Sequence, residues 1–113
     1  MRDVVFVAHS QKDLRRLPRG VQRAIGFALH EVQIGQLPSY AKPLHGFGSG
    51  VFEIAVENRD GAFRAAYVIR LRKAIYVLHV FQKKSKTGIA TPKPDLNLIA
   101  ERLKRAEELD KDG

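Results

Sequence analysis

The chain contains no cysteine and no tryptophan, and its one methionine is the first residue. Without cysteine there can be no disulfide and no thiolate metal site, which suits a reducing cytosol. No apolar run approaches the roughly 20 residues of a membrane span. The opening Met1-Arg2-Asp3-Val4-Val5-Phe6-Val7-Ala8 lacks the long apolar stretch of a signal peptide. The expectation is a cytoplasmic protein with no membrane partner. Acidic residues are scarce: 12 Asp and Glu against 20 Lys and Arg give a formal charge of +8 over 113 residues. Such a field points to a polyphosphate or an acidic protein surface as partner, with plain solubility the bland alternative. Also missing are a phosphate-binding glycine loop, a dinucleotide fingerprint, an HExxH pattern and Cys/His metal spacing. His9, His30, His45 and His79 are scattered, and the carboxylates form no cluster suited to Mg²⁺. No metal and no cofactor are expected, so any phosphodiester chemistry should be metal-free.

What is present fits one domain spanning residues 1–113, with one hydrophobic core. Val4 to Ala8 reads as a strand buried on both faces, and Ser10 with Asp13 as the cap of a short helix ending before Pro18. From Arg19, the positions Val21, Ile25, Ala28, Leu29 and Val32 recur at helical spacing up to Gly35. Residues 36–50 read as a long Gly/Pro loop tacked down by Leu37, Leu44 and Phe47. Strands are expected at Val51–Glu57, Ala62–Arg72 and Ala74–Lys83, the first two joined through Asn58-Arg59-Asp60-Gly61, where Asp-Gly signals a hairpin because both residues tolerate positive φ. A final helix opening at Pro94 should bury Leu96, Ile99, Ala100, Leu103 and Ala106, with 110–113 frayed. The fold class is α+β: a small, mostly antiparallel sheet, the first strand a parallel or edge addition, two N-terminal helices on one face, and a C-terminal helix.

Alternation along the strands places Phe52, Ile54, Val56, Phe63, Ala65, Tyr67, Ile69 and Leu71 on the helix-covered face. Glu53, Ala55, Glu57, Arg64, Ala66, Val68 and Arg70 fall on the opposite, solvent face. Metal-free RNA cleavage needs a base for the 2′-OH, cations for the crowded phosphate and an acid for the leaving oxygen. Arg64 suits the phosphate because its planar fork stays charged, and its alternative role is a salt bridge to Glu53. Lys83, Lys84 and Lys86, where the last strand opens into a loop, are either phosphate contacts or a solvated lysine run. Arg70 extends the arginine row as a second RNA contact. His79 is a candidate catalyst or a packed structural histidine, and Phe81 either stacks on a base or completes the core.

Phe63-Arg64-Ala65-Ala66-Tyr67, then Val77-Leu78-His79-Val80-Phe81-Gln82-Lys83-Lys84-Ser85 and Thr91-Pro92-Lys93, resemble RelE/ParE-superfamily toxins, most closely the HigB-like, phage-related branch. The resemblance runs from Phe6 to about Leu109 and implies a RelE-like fold. It implies the toxin of a type II toxin–antitoxin pair, an endoribonuclease that cuts mRNA on the ribosome. It also implies a helix-turn-helix, HigA-like antitoxin through which operator DNA is bound. Arg64 then falls on the family's phosphate-contacting strand arginine and Lys84 on its basic residue after the last strand, so Arg64→Ala is expected to stop cleavage with the fold intact. The chain departs from the RelE branch in two places. Glu53-Ile54-Ala55 stands where that branch alternates basic residues, and its C-terminal catalytic tyrosine has no counterpart. Base and acid therefore stay unassigned, with Glu53, facing Arg64, one candidate base. The rival readings are a ParE-like gyrase poison and a non-enzymatic module that only binds antitoxin or nucleic acid.

Overall fold

A computed structural model describes residues 1–84 and 90–112. In chain order the elements are β1 (Asp3–Phe6), α1 (Ser10–Arg15), α2 (Arg19–Gln33), β2 (Ala41–Pro43), β3 (Val51–Asn58), β4 (Gly61–Val68), β5 (Ala74–Lys83) and α3 (Lys93–Asp112). The five strands form one sheet in the order β1-β5-β4-β3-β2, with β1 parallel to β5 at one edge and the other pairs antiparallel. The short β2 lies within the expected loop and carries Pro43 on the opposite edge, where a missing N–H costs least.

α2 buries the five residues its spacing selects, Val21, Ile25, Ala28, Leu29 and Val32. Gly35 stops it at φ +88°, its N–H bonding Val32 O at 3.0 Å while Gln36 N–H bonds Glu31 O at 2.9 Å. These bonds cap carbonyls of the last turn, Glu31 O also accepting from Ile34 N at 3.2 Å. The stripe packs on Ile54, Phe63, Ala65 and Tyr67, on the sheet face expected from alternation, together with Ile75, Val77 and Val80 of β5.

The other face is not solvent. Ile99, Leu103 and Ala106 of α3 pack on Val51, Ala66, Val68, Ala74, Tyr76 and Leu78. Apolar residues on β4 and β5 make that half of the sheet worth covering, at about 1.5–3 kcal/mol for each large side chain buried. Ala100, expected in the helix stripe, is exposed.

Several local expectations give way to tertiary contacts. Ser10 is buried and donates its hydroxyl to Val77 O at 3.1 Å instead of capping α1. Leu37 is exposed, whereas Leu44 and Phe47 pack under the α3 side. Asp110 is tied down rather than frayed, accepting from Arg72 N, Lys73 N and Tyr76 Oη at 3.0, 2.8 and 3.1 Å. In the β3–β4 hairpin Asn58 pairs with Gly61, and Asn58 Oδ1 accepts from Asp60 N at 2.8 Å. Only Gly61 of the Asp-Gly pair has positive φ.

β4 ends at Val68, where Ile69 N–H turns to Gly50 O at 2.8 Å. Gly50 has φ +76°, and a Cβ there would stand 2.9 Å from Arg70 Cβ. Gly50→Ala should therefore cost roughly 1–3 kcal/mol in backbone strain, with the clash added. Urea denaturation of the variant tests this, and a wild-type midpoint would disprove the constraint.

Candidate functional site

The strand registers generate a grid on the α3-facing side of the sheet. Glu57, Ala62 and Lys83 form one transverse row, Ala55, Arg64 and Phe81 the next, and Glu53, Ala66 and His79 the third. Arg64 is the centre of this grid. Along its own strand lie Ala62 and Ala66, and across β3 lies Ala55, so three small neighbours leave room for the guanidinium to lie flat on the sheet. Beyond His79 the alternation breaks, because the register shifts between Ala66 and Tyr67 and Leu78 is the extra residue. That bulge sends Val77 to the α2-side core and Leu78 to the α3-side core.

Arg64 is only 3% exposed, so the expectation of a solvent-facing arginine is corrected. Its Nε stands 3.6 Å from Glu53 Oε1 and its NH2 donates to Glu57 Oε1 at 3.2 Å. Both carboxylates lie two residues from the one directly opposite it, hence diagonal contacts on either side. NH1 bonds Phe63 O at 3.0 Å, and Nε is buried with no hydrogen-bond partner among the described residues. Glu53 faces Arg64 as alternation requires, but at 1% exposure it is sealed from solvent, with Oε2 accepting from Thr91 Oγ1 at 2.5 Å. Glu57, by contrast, is 68% exposed.

His79 is buried and fully engaged by α3. Arg102 NH1 sits 3.1 Å from Nδ1, and Asp95 Oδ1 sits 2.7 Å from Nε2. Because arginine only donates, Nδ1 must be the acceptor, so the ring is neutral with its proton on Nε2 toward Asp95. Burial holds its pKa below the ordinary imidazole value, the Asp95 hydrogen bond opposes this, and Arg102 adds to the lowering. Below about pH 6.5 the unfolded chain therefore binds a proton that the folded chain resists, so stability rises with pH through this window and levels off above it. The melting temperature should drop between about pH 7.5 and 5.5, and His79→Gln should flatten that part of the slope. An unchanged slope in the variant would sink this account.

Phe81 is buried, stacked on the His79 ring at 4.5 Å. Lys83 is 7% exposed with its partners within the fold, whereas Lys84 is exposed just past β5. Lys86 lies outside the described residues. Arg70 is not part of the cluster. Six residues along from Arg64, roughly 20 Å away, it donates to Phe47 O and Ser49 O in the loop before β3 and to Glu107 Oε2 on α3, stapling that loop to the helix. Sequence reasoning missed Thr91, Asp95 and Arg102, whose roles depend on where α3 docks. The one local signal was an acidic residue in the first turn of a helix, which explains itself without a partner.

A family model described as "Phage derived protein Gp49-like (DUF891)" matches residues 12–104. Among solved structures, a free double-arginine mutant of the Escherichia coli toxin RelE is similar at TM-score 0.60 and 18% identity, covering 92% of this chain and 96% of that one. The isolated E. coli RelE toxin is similar at TM-score 0.58 and 19% identity, with 94% and 99% coverage. The intact E. coli RelBE toxin–antitoxin complex is similar at TM-score 0.57 and 18% identity, with 75% and 100% coverage. No curated protein matches. The fold is that of RelE, as the strand motifs implied, and the phage-related branch they pointed to is the one matched. By a match covering most of its length, the chain belongs to the phage-derived Gp49-like protein family.

Proposed function

We propose that this chain is the toxin of a type II toxin–antitoxin pair and acts as a metal-independent endoribonuclease on mRNA bound to the ribosome in the cytoplasm. The observation that carries this reading is Arg64 at the centre of a charged grid, with Lys83 in its edge row and Lys84 at the strand exit, on a fold shared with RelE toxins. Arg64 would supply a fixed cation near the scissile phosphate, and Lys84 a mobile one that reaches the backbone from the rim. The net charge of +8 suits both RNA and an acidic antitoxin surface. A structure of RelE with its antitoxin supports the expectation of an antitoxin partner, here proposed to be of the helix-turn-helix, HigA-like kind and to carry the operator-DNA contact.

The test is induction of the chain in cells, with and without the neighbouring gene product, followed by mapping of RNA 5′ ends. Growth should stop, recover on co-expression, and leave new 5′-hydroxyl ends, because attack by the 2′-OH expels the 5′ oxygen. Ends carrying a 5′-phosphate would overturn the mechanism, and unimpaired growth at confirmed expression would overturn the toxin reading. The depth at which Arg64 is ion-paired favours a second reading, a module that binds antitoxin without cutting RNA. Neither growth arrest nor new RNA ends at confirmed expression would point there, whereas arrest without new RNA ends would point to the gyrase poison.

A further inference from the structure

On the β3 side of Arg64 the surface opens into a recess of about 260 Å³ lined by Tyr40, Ala55, Val56 and Glu57. Ala55 stands directly opposite Arg64, and its side chain ends at Cβ. Two residues on, and therefore on the same face, Glu57 is open to solvent while Arg64 NH2 holds its Oε1 at 3.2 Å. Tyr40 is fixed through its backbone, its carbonyl accepting from Ala55 N at 3.0 Å, and the residue is exposed. An accessible carboxylate clamped by a buried arginine and an exposed tyrosine thus line one recess, with Ala55 between them. None of the sealed groups, Glu53, His79 or Lys83, has that access.

Building on the RNA-cutting reading above, we infer that this recess is where the scissile phosphodiester sits, with Glu57 as general base and Tyr40 as general acid. In the step this assigns, the 2′-hydroxyl proton passes to Glu57 and a 2′-O–P bond forms. The P–O5′ bond breaks, and the departing O5′ takes the Tyr40 hydroxyl proton. The products are a 2′,3′-cyclic phosphate and a 5′-hydroxyl, and water resets both side chains without any change of oxidation state. Arg64 is the positioning residue. It aims the carboxylate and offsets the charge that a phosphate would otherwise meet there.

The experiment is single-turnover cleavage of mRNA on programmed ribosomes by Glu57→Gln and Tyr40→Phe. Gln keeps an oxygen for Arg64 but cannot take a proton, and Phe removes one exposed hydroxyl. Each should slow cleavage about 10²-fold or more, the usual contribution of a positioned acid or base, at an unchanged melting temperature. On RNA with sulfur in place of the 5′ bridging oxygen, a leaving group that needs no proton, Tyr40→Phe should regain the wild-type rate and Glu57→Gln should not. If the wild type cleaves and both variants match it within about twofold, the recess is not the reaction centre although the nuclease reading stands. If the wild type cleaves nothing, the nuclease reading fails and takes this assignment with it. Should Glu57→Gln prove unstable, Tyr40→Phe with the sulfur substrate decides alone, since a slow variant that sulfur fails to rescue contradicts the acid role.

Discussion

Arg64→Ala should lower folding stability by about 3–5 kcal/mol, the usual loss when one partner of a buried ion pair is removed. The guanidinium is what makes Glu53 tolerable at 1% exposure. Without it, one carboxylate oxygen keeps the Thr91 hydroxyl and the other faces the gap left beside Ala62 and Ala66. The exposed Glu57 partner matters less, because solvent screens that pair. Urea denaturation measures the effect, and Glu53→Gln placed on top of Arg64→Ala should restore a good part of it, since the stranded charge is then gone. A loss below about 1 kcal/mol for Arg64→Ala would show that the pair contributes little. The burial of Arg64 beside Glu53 sets this outcome against the sequence-based expectation that the variant keeps its fold intact. Loss of growth arrest in Arg64→Ala is informative about chemistry only alongside Arg64→Lys or a measured melting temperature.

Ile99→Asp should cost more than about 4 kcal/mol, combining the lost burial of an isoleucine with an unpaired carboxylate in an apolar interface. Ile99 is fully buried among Val7, Ala66, Leu78 and their neighbours on the α3 side. The two cores lie on opposite faces of one sheet and share only its backbone, so α3 should detach before the α2 side opens. Hydrogen exchange tests this directly: protection should vanish in 93–112 while the amides of α2 persist. Detachment would also uncover His79, which Asp95 and Arg102 hold from α3. Uniform loss of protection would refute the order of opening, and wild-type stability would refute the burial argument.

Much of the architecture was legible because it is periodic. The α2 stripe, the alternation of β3 and β4 and the Gly35 stop are each written in spacings of a few residues, and local backbone geometry enforces them. The family motifs around Arg64 and His79-Val80-Phe81 were equally local, and alternation placed Glu53, Glu57 and Arg64 on one sheet face and His79 with Phe81 on one side of their strand. The sequence by itself therefore determined which side chains share a surface and that the surface carries paired charges. Whether that surface meets water was decided only by the tertiary structure, since α3 covers the second face because Val68, Tyr76 and Leu78 are there to be covered. That docking turned an arginine expected in solvent into a buried ion pair and made His79 a partner of Asp95 and Arg102. It left Glu57, rather than Glu53, as the accessible carboxylate beside Arg64. Burial and long-range pairing depend on contacts between residues tens of positions apart, and no spacing within one strand or helix encodes them.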